Sequence, residues 1–467
     1  MSEDDIRKLP KPPPYLDHAF EPVVRAIYED GYRGAIPIIE KTDNPKAALE
    51  DPDFRSRFYR AAHGGFARAQ EEVAKRILAL ESNGLNTTQT KREALVLRSL
   101  MDGVAWQMIS GQLYIARRLF RGGRPPRLSQ SNFESVQAAA IETFDEETAR
   151  FALISDLTTF VQLGDLLIID PLKGGLSFVE VKSGSKNLKI MEFLHSLPDE
   201  PCGYKAFLEF QHNEGAKTVE QLDRVLRQAK RLSDAQELLA TGEGFDESLG
   251  ATVHIPEASV DIAHYNHRLS AAIDKSQERG WAIDVIDDDC LFIGAYRDIM
   301  LGAGLHMFAG WFQSCEAPKG SPVHGLLSCI GSPLALPLFS RLPIDQVCDL
   351  LFGRCIVVVG LHLDNFVKFA EKRGISTRWS SRRDAEKPQF RHAYKVDHRA
   401  LIFSRGEIEL ILSDGLLMRM MCHGVTPSSA LDLIESQLKN AGTVFAQSST
   451  SSEKNIPGPA ADKDLGG

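Results

Sequence analysis

The chain has 467 residues, of which 43% are hydrophobic and 25% charged, and it carries a formal net charge of −9. That length exceeds one ordinary core, so two or three domains are expected. The acidic balance excludes a polyanion-binding character spread over the whole surface and leaves room only for a local one. Seven cysteines, odd in number and without a CxxC pair, suggest neither a zinc site nor a disulfide framework.

Residues 1–16 are acidic and then proline-rich, and they read as a flexible N-terminus without the apolar core of a signal peptide. No apolar run is long enough to span a membrane; the stretch at 355–361 is only strand-length. A cytoplasmic protein without membrane contact is expected. From 17 to 128 apolar residues recur every three or four positions, which predicts a helical region whose last helix, 90–121, packs on the unit that follows. Gly122-Gly123 and Pro125-Pro126 close it.

Residues 129–244 form the next expected unit. It opens with a short helix at 133–143 and continues with strands at 151–162, 164–170 and 176–182, the last two joined by a turn through Pro171-Leu172-Lys173-Gly174-Gly175. A helix over 218–239 follows, with Leu222, Val225, Leu226, Ala229 and Leu232 in one stripe and Thr218 and Gln221 matching a capping box. Residues 245–442 read as a second α/β unit, with a strand at 251–255, a helix at 267–280 and strands at 281–287 and 290–297. The tail 443–467, rich in Ser, Lys, Gly and Pro, reads as disordered.

Pairing the second and third strands of the 129–244 unit about that turn puts Asp165 across from Glu180, with Lys182 on the same side. The same register sets Leu167 against Phe178 and Ile169 against Leu176, while Leu166, Ile168, Val179 and Val181 fill the other face. Two neighbouring carboxylates in an apolar sheet repel and lose hydration, so something has to compensate them. A divalent cation does so. Oxygen ligands from Asp165, Glu180 and the Val181 carbonyl suit Mg²⁺, with Mn²⁺ as a substitute, and Lys182 would orient or stabilise the attacking water's charge.

Gly164-Asp165, a hairpin and then Glu180-Val181-Lys182 resembles the PD-(D/E)xK nuclease superfamily over roughly 151–239. The resemblance implies an α/β protein with a restriction-endonuclease-like core, a central mixed sheet flanked by helices, in the order helix, three strands, helix and fourth strand. It also implies a Mg²⁺-dependent nuclease, DNA favoured, in a setting such as bacterial restriction, repair or phage defence. Glycine stands where proline usually precedes the motif aspartate, and the segment 186–217 is long.

Relatives of this kind often add an acidic residue from the preceding helix, and Asp102 lies beside Ala105, Trp106 and Ile109. The alternative is a core-edge aspartate held by Arg98 or a hydroxyl. Glu93 reads as a carboxylate favoured by its helix N-terminus. A glutamine after the motif lysine is also common; Gln221 and Gln228 are both candidates, although capping explains the first and solvent exposure the second.

Ser183, Lys186, Asn187 and Lys189 read as a polar loop able to touch phosphates. Two basic stretches suit a polyanion: Arg117, Arg118, Arg121, Arg124 and Arg127, and then Arg378, Arg382, Arg383, Lys387, Arg391 and Lys395 interleaved with Trp379, Phe390 and Tyr394. Solvated loops are the plainer account of both. The aspartates at 284 and 287–289 read as a turn, and no phosphate-binding GxxxxGK[ST] loop occurs. The competing function is a catalytically silent scaffold that binds nucleic acid or a protein partner, with the C-terminal unit mediating recognition or a homodimer.

Overall fold

The computed structural model describes residues 15–39, 48, 50–82, 87–109, 111–145, 149–171, 176–182, 185–196, 203–246, 251–254, 260–335 and 341–452. It is a mixed α/β protein in which every described strand pair is antiparallel. The mixed sheet implied by the resemblance is therefore not what forms.

Helices α1 (Glu21–Ile27), α2 (Pro52–Ser82), α3 (Thr88–Met108) and α4 (Leu113–Leu119) make up the N-terminal region. The single helix expected over 90–121 is two, because the chain passes through Gly111 at φ +68°, a conformation open to glycine at little cost. At Gly65 of α2 an added Cβ would lie 1.6 Å from the Asp30 carbonyl oxygen, so the two backbones touch only because no side chain intervenes. Leu16 is buried and its amide donates to the Leu351 carbonyl at 2.9 Å, so the packed chain begins inside the segment read as flexible; residues 1–14 lie outside the described residues.

After α5 (Phe133–Thr143) come β1 (Phe151–Ile154), β2 (Leu166–Ile169) and β3 (Leu176–Val179), in that order across a three-stranded sheet. The register sets Leu167 against Phe178 and Ile169 against Leu176, as alternation predicts. Residues 172–175 of the turn lie outside the described residues. β1 is far shorter than 151–162: it stops at Ile154 and the chain turns through a 3-10 helix, Ser155–Leu157.

No fourth strand joins this sheet among the described residues. The open edge of β1 is instead closed by Gln70 of α2, whose amide accepts from Ile154 N at 2.7 Å and donates to the Ala152 carbonyl at 3.2 Å. One side chain thus supplies the donor and acceptor that a neighbouring strand would, which leaves no exposed ladder. One turn pair away on the same helix, His63 donates through Nδ1 to the Ala149 carbonyl.

Three helices follow: α6 (Ser185–Ser196), α7 (Gly203–Glu214) and α8 (Ala216–Thr241). The polar loop expected around Lys186 is the first turn of α6. Ile190, Phe210, Leu222 and Val225 form a small core of their own among these helices. α8 starts at Gly215, with φ +77°, and not at a Thr218 capping box; the Thr218 hydroxyl donates back to the Glu214 carbonyl.

Strands β4 (Glu243–Asp246) and β5 (Ala251–His254) pair with each other. Beyond them α9 (Asn266–Arg279) leads into β6 (Trp281–Ile286) and β7 (Leu291–Arg297), then α10 (Gly304–Ser314), β8 (Val323–Gly325), α11 (Ile344–Leu351), β9 (Cys355–Leu361) and α12 (Leu363–Lys372). The four strands form one sheet in the order β6-β7-β9-β8. Asp287, Asp288 and Asp289 all have positive φ in the turn between β6 and β7, so the acidic run is a turn.

A second sheet combines β10 (Ser376–Trp379), β11 (Lys395–Val396), β12 (Arg399–Arg405) and β13 (Ile408–Ile411). Helices α13 (Asp414–Cys422) and α14 (Pro427–Ser452) close the described chain. α14 runs on into the segment read as a disordered tail, and residues 453–467 lie outside the described residues.

One hydrophobic cluster links the N-terminal helices, the three-stranded sheet and the C-terminal α/β region, with each fully buried aliphatic side chain contributing about 2 kcal/mol. Trp106 of α3 packs edge-on against His423, ring centroids 5.0 Å apart, so α3 touches the C-terminal region as well as the small sheet. No helix among the described residues is long and apolar enough to cross a membrane.

Candidate active site

Asp165 enters β2 from Gly164, which has φ +74° and where a Cβ would sit 3.1 Å from the Val179 carbonyl oxygen. Both the left-handed conformation and the close approach explain the glycine. Asp165 is stitched to both neighbouring strands: its amide donates to the Val179 carbonyl at 2.8 Å, and its carbonyl accepts from Ser155 N at 2.9 Å. Its carboxylate then accepts from the backbone amide of Val181 at 2.7 Å, which folds the end of the hairpin over the aspartate.

Glu180 and Lys182 follow directly after β3 and are largely buried. The Lys182 ammonium donates to Glu180 Oε2 at 3.1 Å and to Gln228 Oε1 of α8 at 2.8 Å. The Val181 carbonyl accepts from the Asn132 side-chain amide at 3.1 Å. Two requirements at the open end of the hairpin, those of the Val181 carbonyl and the Lys182 ammonium, are thereby met by side chains from two other elements, Asn132 in the turn before α5 and Gln228 in the middle of α8.

The electrostatics of this end are strained. Burial, joined by the neighbouring Glu180 and Asp156 charges, pushes the Asp165 carboxyl up to about 6, against the opposing pull of the Val181 amide and Lys182. Asp156, in the 3-10 turn after β1, is also pushed up by burial; Arg98 and the Ser131 hydroxyl pull it back, and Glu180 raises it further. Sequence reasoning missed Asp156, because reading 151–162 as one strand carries it away from the Asp165–Glu180 end of the hairpin.

Arg98 is only 7% exposed, donates to the carbonyls of Asp156 and Pro126 at 2.9 and 3.0 Å, and lies 4.0 Å from Glu81. Its charge is shared among Glu81, Asp156 and Asp102. Five carboxylates (Glu81, Asp102, Asp156, Asp165 and Glu180) therefore surround two cations, Arg98 and Lys182.

Asp102 belongs to a different part of this network from the one its candidacy required. Fully buried, it accepts from Thr159 N at 2.7 Å and from the Thr159 hydroxyl at 2.6 Å, and burial pushes it up to about 7. It caps the loop after β1, and its charge neighbour is Arg98, not the hairpin acids. Of the two glutamines, Gln228 reaches Lys182, whereas Gln221 donates to Asn187 of α6 at 3.2 Å. Glu93 accepts from Gln89 at 2.8 Å.

Among the described residues no three His, Cys, Asp or Glu side chains are disposed to enclose a metal ion by themselves. Asp165, Glu180 and the Val181 carbonyl nevertheless make an all-oxygen donor set of the kind Mg²⁺ shares with water and substrate. Lys182 and Asn132 presently engage two of these oxygens.

The other proposed contacts are scattered. Lys186 is exposed on α6, and Lys189 pairs with Glu214 at 2.9 Å; Ser183 lies outside the described residues. In the C-terminal basic segment Arg378 pairs with Glu409 at 2.7 Å and Lys387 with Asp384 at 2.6 Å, so those two charges are spent internally. Arg382, Arg383, Arg391 and Lys395 are exposed. Phe390 is buried and the Tyr394 hydroxyl is tied to the Gly320 carbonyl at 2.7 Å, which leaves Trp379, 37% exposed, as the stacking surface of the three aromatics. Compared with family models, curated proteins and solved structures, the chain matches none.

Proposed function

We propose that the chain is a divalent-metal-dependent nuclease that hydrolyses phosphodiester bonds, with DNA favoured by analogy with the PD-(D/E)xK enzymes it resembles and a restriction, repair or phage-defence role by the same analogy. The supporting observation is the meeting of Asp165, Glu180 and Lys182 at the open end of one hairpin, which holds more negative than positive charge. Buried carboxylates in surplus are costly unless a cation joins them. Asp165 and Glu180 would hold Mg²⁺, with the Val181 carbonyl as a further donor. Bound there, the ion supplies Lewis-acid polarisation and a more acidic water.

The remaining roles fall to the chain itself. Lys182, held on one side by Gln228, presents donors to a water or to developing negative charge once Glu180 turns to the ion. Asn132 fixes the orientation of the Val181 peptide. The test is cleavage of single- and double-stranded DNA with Mg²⁺ or Mn²⁺ by the wild type, Asp165→Ala and Lys182→Ala. Activity confined to the wild type supports the reading; equal activity in all three refutes it.

A silent scaffold is the second reading, favoured by the Lys182–Glu180 pair at 3.1 Å, which already neutralises one carboxylate. It predicts nucleic-acid or protein binding that Asp165→Ala and Lys182→Ala leave intact, with no cleavage by any of the three proteins.

A further inference from the structure

Two elements close on the Val181–Lys182 dipeptide, and each carries an exposed arginine. From α8, Gln228 reaches Lys182 and Gln221 reaches Asn187. Residues three and four apart share a helix face, so Arg224, three positions after Gln221 and four before Gln228, lies on the ridge between these two anchors. It is exposed and has no ion pair or side-chain hydrogen bond among the described residues.

From the other direction, Asn132 reaches the Val181 carbonyl and Ser131 reaches Asp156. Both follow the single turn Leu128–Gln130, and Arg127 immediately precedes it, exposed and likewise without a partner. This turn is tethered. Glu81 accepts from Leu128 N and Ser129 N at 3.1 and 2.9 Å, and Arg98 holds the Pro126 carbonyl at 3.0 Å.

An acidic cluster at the open end of the hairpin, in a protein of net charge −9, repels a phosphodiester chain, so seating one there needs positive charge close to the scissile group. Arg127 and Arg224 supply it from scaffolds already fixed by other contacts, which lowers the entropy lost on binding. We propose that Arg127 and Arg224 are phosphate-contact residues, one on each element closing on Val181–Lys182, which seat a nucleic-acid strand across the Asp165–Glu180–Lys182 cluster. The inference rests on the phosphodiesterase reading and assigns its substrate-positioning residues.

The test uses full-length protein carrying Asp165→Asn, so that labelled DNA survives, and follows fluorescence anisotropy as salt is raised. Arg127→Gln and Arg224→Gln should each weaken binding about 3- to 10-fold and make the dependence of log affinity on log salt shallower by about 0.7–0.9, the loss of one phosphate contact. Arg127→Lys and Arg224→Lys should retain most of that slope, and Arg279→Gln, on α9 of the C-terminal region, should change nothing. In the otherwise wild-type enzyme both Gln variants should raise KM more than they lower kcat. An unchanged slope in both Gln variants, in a parent that binds and whose wild type cleaves, overturns the assignment and leaves the nuclease reading standing. A parent that binds no nucleic acid at low salt overturns both.

Discussion

The small sheet β1–β3 and the larger sheet β6–β9 treat charge in opposite ways. Around the larger one, four partly buried arginines are matched to anions: Arg297 and Arg354 share Asp349, Arg268 holds Asp284 bidentately, and Arg373 holds Asp432 with Glu435 at 3.6 Å. At the small sheet carboxylates outnumber cations, and Asp165 and Asp156 are both pushed upward by burial and by the Glu180 charge. A matched ion pair is what folding alone selects. An unmatched cluster lowers stability and persists where something outside the chain completes it.

The comparison breaks most visibly at its largest effect. Lys182→Ala should lower the cleavage rate of the folded fraction about 10³-fold or more, since its removal abolishes a donor to the reacting groups, and should also cost about 1–3 kcal/mol by leaving Glu180 unpaired. Single-turnover rates on labelled DNA and a urea midpoint measure the two quantities together. Arg297→Ala should affect stability alone. It strips Asp349 of one of two partners beside β7, costs about 2–4 kcal/mol in chemical denaturation, and leaves the cleavage rate of the folded fraction unchanged.

Asp102 sharpens the boundary between the two kinds of acid. Asp102→Ala removes both bonds to Thr159 in a fully buried place and should cost about 2–3 kcal/mol. Asp102→Asn keeps an acceptor for Thr159 N and offers its amide to the hydroxyl, so stability and cleavage should both stay near wild type. A large loss of kcat in a stably folded Asp102→Asn protein would return this residue to the catalytic set.

The smallest effect concerns the charge of Asp165 itself. Burial pushes the folded Asp165 carboxyl up to about 6 against an ordinary value of 3.8, so it binds its proton more tightly folded than unfolded. Its contribution to the stability of the metal-free protein should fall as pH rises from about 4 to about 6 and fall no further above that, alongside the contributions of Asp156 and of Asp102, the latter lost up to about pH 7. Asp165→Asn should remove its own part of this slope and gain about 1–2 kcal/mol at pH 7.5, allowing for the water that reaches the group. Urea midpoints at pH 4.5 and 7.5 without metal decide it; a destabilised Asp165→Asn at pH 7.5 would mean that the charge is structural.

Much of this architecture can be read from residue pattern where the pattern is local. The alternation around Leu167, Ile169, Leu176 and Phe178 sets the hairpin register, and α5 occupies the range its apolar spacing predicts. What escapes such reading depends on partners distant in the chain. β1 ends at Ile154, whose amide is taken by Gln70, because the loop beyond it is held by Asp102, both from helices over fifty residues upstream, and that early stop is what brings Asp156 under the influence of the Glu180 charge.

Gln70 itself gives no signal in a helical sequence, although as a polar residue on the apolar face of α2 it invites a partner. The helices α6 and α7, which no expected element covers, do carry a sequence signal: Ile190, Phe193 and Leu194, and Phe207 and Phe210, have helical spacing. The choice of Gln228 over Gln221 turns on which turn of α8 faces Lys182, and only tertiary packing fixes that.

Isothermal titration of Mg²⁺ into the metal-free protein at pH 7.5 addresses the unmatched charge at the open end of the hairpin most directly. The account predicts one saturable site that disappears in Asp165→Asn and in Glu180→Gln and survives in Asp102→Asn. A titration without saturable binding, or a site that persists in both hairpin variants, contradicts it.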